Sequence, residues 1–200
     1  MTAPFLLGLT GSIGMGKSTT AAMFRDEGVP VWDADATVHT LYGYGGAAVH
    51  LIGQLCPSAI VDDQVDRARL KDWIAADGGA LTRIEAAVHP LVAAHRAGFI
   101  AGAAAMGAAI VVLDIPLLFE TGADGGVGAT LVVTAPPEIQ RSRVMARPDM
   151  TEAHFQAILA RQMPDAQKLA RATHVIETLS PETARAAVHQ LLDDLRQAHA

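Results

Sequence analysis

Cysteine is almost missing from this 200-residue chain: Cys56 stands alone. No intrachain disulfide can form, no cysteine cluster can hold a metal, and a reducing, cytoplasmic setting is the expectation. Lysine is nearly as scarce, with only Lys17, Lys71 and Lys168. No basic run exists and the net charge is −6, so a nucleic-acid partner, which needs a basic patch against its phosphates, is not expected. Aromatic residues make up 4% of a chain that is 50% hydrophobic, which leaves the core to Ala, Val, Leu and Ile. Long apolar runs are absent too. Residues 97–113 are rich in Ala and Gly and lie between Arg96 and Asp114, too short and too weakly hydrophobic for a membrane span. The N-terminus has no basic n-region, and its apolar run reads as a strand rather than a signal peptide. No heptad pattern appears, and a monomer is the default.

What the chain does have is concentrated near its start. Phe5 to Leu9 is an apolar run, and Gly11 to Ser18 fits G-x-x-x-x-G-K-[ST], with Gly11, Gly16, Lys17 and Ser18 at the fixed positions. A helical pattern follows at once. Strand, glycine-rich loop and helix are the context this motif requires. Glycines let the backbone wrap a phosphate and aim successive N–H groups at it, and the helix start adds its positive dipole end. Lys17 can reach the β- and γ-phosphates as a point charge, and the Ser18 hydroxyl can ligate Mg²⁺. The alternative is a purely structural turn, which the lysine, the hydroxyl and both flanking elements argue against. A nucleoside triphosphate is the expected ligand.

Downstream the pattern is that of an α/β fold. Gly28 ends the first helix, and Val29–Trp32 reads as a second strand that stops at Asp33-Ala34-Asp35. In a parallel sheet ligands sit at the carboxyl ends of strands, which places these acids beside the loop; a helix cap plus a solvated acid is the competing reading. No strand signal appears between Trp32 and Ile110, so a long helical insertion is expected, with Pro90 breaking or kinking the helical region 81–104. Ile110 to Asp114 reads as a buried strand whose terminal acid could hold a metal directly or through water. Ala129 to Val133 and His174 to Glu177 read as further strands. Between them, a helix from Pro137 carrying Arg141, Arg143 and Arg147, followed by a second helix from Thr151, reads as an arginine-rich lid over the triphosphate; a solvated face paired with acids is the alternative. Ser180-Pro181-Glu182 is a clean helix start.

Three functions fit this outline: a small-molecule kinase, a regulatory GTPase and a non-catalytic nucleotide-binding subunit. The GTPase reading needs a guanine-reading Asn/Thr-Lys-x-Asp element, and neither Lys71-Asp72-Trp73 nor Lys168-Leu169-Ala170 supplies one. The binding subunit leaves the insertion unexplained.

Gly8 to Thr19, Asp33-Ala-Asp35, Val88-His-Pro-Leu-Val92, Asp114-Ile-Pro-Leu-Leu-Phe-Glu120 and Arg143-Val-Met-Ala-Arg147, in that order and spacing, together resemble dephospho-CoA kinase over nearly the whole chain. Asp66-Arg67, Leu70 and Gln162 also fit that family's pattern. The resemblance implies an α/β P-loop kinase-like three-layer fold with a central parallel sheet, in a single domain of three parts. These are a nucleotide-binding core (about 1–61, 101–137 and 166–200), a helical CoA-binding lobe (about 62–100) and a lid (about 138–165). It implies ATP-dependent phosphorylation of the ribose 3′-hydroxyl of 3′-dephospho-CoA, with Mg²⁺. By that match Asp33 is the base, and Lys17 and Arg147 neutralise the transferring group. Gly11, Ser12, Gly14, Met15, Gly16, Lys17, Ser18, Thr19 and Arg143 bind the nucleotide. Asp35, His89, Leu117 and Glu120 line the acceptor site, and Ser18 holds Mg²⁺, with Asp114 behind a water. The chain departs from the family around its last strand, where Thr173-His174 and Glu177-Thr178 replace the usual Asp before and Asn after; no adenine contact is carried over from there.

Overall fold

A computed structural model describes residues 3–199. In chain order the elements begin with β1 (Phe5–Thr10), α1 (Lys17–Asp26) and β2 (Val31–Asp33). Next come α2 (Ala34–Tyr42), α3 (Val49–Leu55), β3 (Ile60–Val61), β4 (Gln64–Val65), α4 (Arg67–Ala76) and α5 (Ala80–Ala105). Then follow β5 (Ile110–Asp114), β6 (Ala129–Thr134), α6 (Pro137–Met145), α7 (Glu152–Leu159), α8 (Asp165–Arg171), β7 (His174–Glu177) and α9 (Pro181–Ala198). They fall into two compact units, residues 34–101 and the rest.

The larger unit is built on a five-stranded sheet of order β2-β5-β1-β6-β7, parallel at every pairing. β5 is buried along its whole length, as the middle of a doubly covered parallel sheet must be. The chain leaves β1 toward β2 and β5, then crosses back to β6 and β7. That reversal makes the carboxyl end of β1 the switch point, where open α/β sheets bind ligands. Leu7, Leu9, Phe24, Val112, Leu131, Val133, Val188 and Leu192 form the core. α9 buries Ala184, Val188, Leu191, Leu192 and Leu195, one face at helical spacing. Ser180 and Thr183 close its start as a reciprocal capping box.

The smaller unit is helical with one small hairpin, and its own core contains Leu41, Ile52, Ala59, Val65, Leu70, Ile84 and Val88. The composition of this core moves one boundary. Residues 34–61, expected with the nucleotide core, pack with α4 and α5 instead, so the unit starts at Ala34 rather than near residue 62. Two other expectations change here. The stretch thought free of strands holds the antiparallel pair β3–β4, turned by Asp62 and Asp63 at φ 48° and 56°. Positive φ at both central residues is the twist-matched hairpin turn, but two-residue strands carry no alternation to read. Pro90 does not break α5. Proline frees the carbonyl of the residue four earlier; Ala86 and Pro90 both face solvent, where water can take that carbonyl, while Ile84 and Val88 stay buried on either side.

Candidate active site

The loop between β1 and α1 is held from outside by side chains far away in sequence. The Gln140 amide donates to the Ile13 carbonyl at 2.8 Å, and the Ile13 N–H donates to Gln162 Oε1 at 3.1 Å. The Thr178 hydroxyl donates to the Met15 carbonyl at 2.9 Å. Met15 is itself a core residue, with its sulfur accepting from the Ala135 N–H at 3.1 Å. Gly14 and Gly16 have φ of 79° and 87°, a region open to glycine and costly for other residues. Gly16 caps α1 without any side-chain hydrogen bond, so the first-turn amides lack both intrahelical acceptors and a protein cap. An uncapped helix start behind a glycine loop suits an anion. Ser18 and Thr19 are exposed there, whereas Ser12 is buried.

The acids lie along the carboxyl edge of the sheet. Lys17 Nζ pairs with Asp114 Oδ1, with the side chains 17% and 2% exposed. Asp33 and Asp114 are register partners on adjacent strands, about 4.8 Å apart by strand spacing. Loop lysine, Asp114 and Asp33 thus form a row at the switch point, and Asp33 is half-buried. No group of three or more His, Cys, Asp or Glu able to hold a metal occurs among the described residues.

Glu120 has a partner sequence reasoning did not foresee. Its Oε1 accepts from the Met163 N–H at 2.7 Å and lies 2.9 Å from Nζ of Lys168, which is completely buried. The second contact is an ion pair rather than an aligned hydrogen bond, since Lys168 Nζ and Glu120 Oε2 both lack hydrogen-bond geometry. Burial pushes the Glu120 carboxyl up, but the Lys168 ammonium and the Met163 N–H outweigh it and hold the group below the ordinary glutamate range. A carboxylate depressed in the folded state stabilises it above the unfolded value and loses that contribution as pH falls through the folded one. Glu120→Gln is therefore expected to lower Tm at pH 7 by several degrees, because Lys168 stays buried without its counter-charge. The gap from the parent should close as pH is taken below about 4. Melts at pH 7 and pH 3 check this, and a gap of equal size at both would exclude the pair as its cause.

A family model described as Dephospho-CoA kinase matches residues 5–181. This chain belongs to the dephospho-CoA kinase family. A dephospho-CoA kinase from Cereibacter sphaeroides is 61% identical over 194 residues, 97% of each chain. A solved protein from Thermus thermophilus superposes with a TM-score of 0.83 at 34% identity, covering 96% of this chain and 98% of that one. A dephospho-CoA kinase from Campylobacter jejuni superposes with a TM-score of 0.72 at 22% identity, covering 98% of each, a likeness that speaks for the fold. Membership makes the chain a kinase that moves a phosphoryl group from ATP to a hydroxyl.

Against the family's pattern, the remaining expected residues divide. Leu117 is exposed while Leu118 and Phe119 are buried, so one residue of that apolar run is left facing outward. Arg147 lies beyond α6, not on it, and is exposed with no side-chain partner among the described residues. Arg141 takes the bland role, pairing with Glu152 at 2.8 Å. Arg143, expected on the nucleotide, donates instead to Thr178 Oγ1 at 3.0 Å and Thr178 O at 2.5 Å. Asp35 and His89 belong to the helical unit, both exposed, in the first turn of α2 and on α5. Gln140 and Lys168 gave no signal of a role; Gln162, which fits the family pattern, and Thr178, which belongs to a departure from it, each stood out in the sequence without a role. α8, which carries Lys168, was missed as an element; its seven residues are too few for periodicity to register.

Proposed function

We propose that this chain transfers the γ-phosphoryl group of ATP to the ribose 3′-hydroxyl of 3′-dephospho-CoA, giving coenzyme A and ADP, the last step of coenzyme A synthesis. The observation that carries the reading is the row Lys17, Asp114, Asp33 at the carboxyl edge of the sheet, beside an uncapped phosphate loop. Phosphoryl transfer asks the protein mainly for positioning and charge stabilisation. The loop amides and Lys17 hold the triphosphate. Asp33, one strand from Asp114, orients the acceptor hydroxyl and takes its proton. Lysine has three donors, so Lys17 can keep Asp114 and still face a phosphate.

Bound Mg²⁺ would supply positive charge against the phosphates. It commonly takes one or two protein ligands and keeps several waters, and the exposed Ser18 hydroxyl with Asp114 behind a water fits such a site. Arg147, exposed and with no side-chain partner among the described residues, is assigned to the transferring group by family resemblance. α6 is an unsuitable mover, because its Gln140 holds the loop and its Arg143 holds Thr178. The lid is accordingly assigned to the chain between Arg147 and Arg161. Asp35, His89 and Leu117 are assigned to the acceptor by family resemblance, and Glu120 to bracing the Met163 backbone. The enzyme works as a cytoplasmic monomer without nucleic acid, in keeping with its negative charge and its single, buried Cys56.

The test is ATP consumption with dephospho-CoA, adenosine, gluconate, shikimate and nucleoside monophosphates as acceptors. Turnover should be confined to dephospho-CoA, with mass spectrometry showing one added phosphate. Consumption with another acceptor and none with dephospho-CoA would overturn the assignment.

A further inference from the structure

We propose that Thr178 is a positioning residue for the phosphate loop, aiming the Gly16 amide, and that Arg143 acts through it. Thr178 lies just past the last strand, where the pair Glu177-Thr178 departs from the pattern of the family it resembles. Its own N–H donates to the Thr134 carbonyl at 2.8 Å, so its backbone is tied to β6 just past the end of β7. Its side chain is buried and touches three things. The hydroxyl oxygen lies 2.9 Å from the Met15 carbonyl and 3.2 Å from the Thr134 carbonyl, and it accepts from Arg143 at 3.0 Å.

A hydroxyl has one proton and two lone pairs. Arg143 occupies the acceptor side, and its second nitrogen grips the Thr178 carbonyl. The hydroxyl proton is thereby turned toward the two carbonyls, of which Met15 is the nearer. The peptide unit is planar and trans, so a Met15 carbonyl held toward Thr178 points the Gly16 N–H the opposite way. Gly16 also packs so tightly on Thr178 that a Cβ there would come within 2.8 Å of the hydroxyl oxygen. Gln140 applies the same device two residues earlier. Holding the Ile13 carbonyl fixes the direction of the Gly14 N–H. Alternate carbonyls are pinned outward by side chains, and the glycine amides that follow them face the phosphate. Arg143 is thus a brace for the loop rather than a phosphate ligand.

The inference rests on the loop holding ATP, and calorimetric titration of the parent enzyme tests that separately from the choice of acceptor. If the parent binds no ATP, both readings fall. Thr178→Val keeps the shape and removes the hydroxyl, leaving the Met15 carbonyl without its donor; ATP affinity is expected to fall about tenfold. Thr178→Ser restores the hydroxyl and should bring affinity back to within about twofold. Arg143→Met should weaken ATP in the same direction, and the double variant should be no worse than the weaker single one, because both act through one anchor. KM for dephospho-CoA should move less than about twofold throughout, which a general loosening of the fold would not allow. Unchanged ATP affinity in a folded Thr178→Val enzyme would overturn the proposal, as would a serine variant no better than valine. So would parallel losses for ATP and acceptor. Should the valine variant not fold, Arg143→Met is read by the same titration: affinity within twofold of the parent then overturns it.

Discussion

Lys17→Met is expected to reduce kcat/KM for ATP by roughly 10²- to 10³-fold and to destabilise the protein at the same time. The first effect follows from losing a fixed positive charge where the transition state accumulates negative charge, in a site that partly excludes water. The second follows from Asp114. Its side chain is 2% exposed and Lys17 is its ion-pair partner; removing a cation from beside a buried carboxylate is among the more costly single changes. A loss of about 2 kcal/mol would lower Tm by roughly 4–8 °C in a chain of this size. The two effects separate in the double variant Lys17→Met/Asp114→Asn. Neutralising the carboxylate removes the penalty, so Tm should recover most of the way while turnover stays low. Kinetics and thermal melts on both variants check this. Recovered turnover in the double variant would mean that Lys17 acts only by neutralising Asp114. Parent-like turnover in the single variant would reduce the loop to a turn.

The parts of this site that were legible in the sequence are those carried by local pattern. The loop motif, the acid at the end of β5 and the acid after Trp32 are each a few residues at fixed spacing beside an apolar run, and β7 spans the expected His174–Glu177 because Val175 and Ile176 lie between polar neighbours. The start of α9 at Ser180-Pro181-Glu182 likewise sits within three residues. What escaped is what distant residues build together. Thr178 meets Met15 across 163 positions, Gln140 meets Ile13 across 127 and Glu120 meets Met163 across 43. A buried lysine on a seven-residue helix has no sequence signature that separates it from a solvated one. Arg143 shows the other limit. Arginine on a helix near a phosphate loop suggests a phosphate ligand, yet in the fold its two engaged nitrogens point at the chain just past β7. The resemblance to a family supplied the acceptor; the packing supplied which side chains hold the loop.

Asp33→Asn is expected to lower kcat by roughly 10²- to 10³-fold while leaving the dissociation constant for ATP within about twofold of the parent. The substitution keeps size and hydrogen-bonding reach and removes the capacity to take a proton. Asp33 ends β2 directly across from Asp114 on β5, so it is one strand removed from the lysine pair and two from the loop that follows β1. That spacing suits a group acting on the acceptor oxygen rather than on the phosphates. On the proposed reading the nucleotide's cradle is built from other elements: the amides at the start of α1, Lys17, and the braces Gln140, Gln162 and Thr178. None of these depends on the charge of Asp33, and removing a negative charge near a triphosphate should, if anything, tighten ATP slightly. The distinguishing pattern is therefore a fall in kcat without a matching loss of ATP affinity, the signature of an interaction used only in the reaction step. Stopped-flow or coupled turnover together with calorimetric ATP binding reads both. Equal losses in turnover and ATP affinity would place Asp33 in the nucleotide site instead, and turnover within threefold of the parent would remove it from the chemistry.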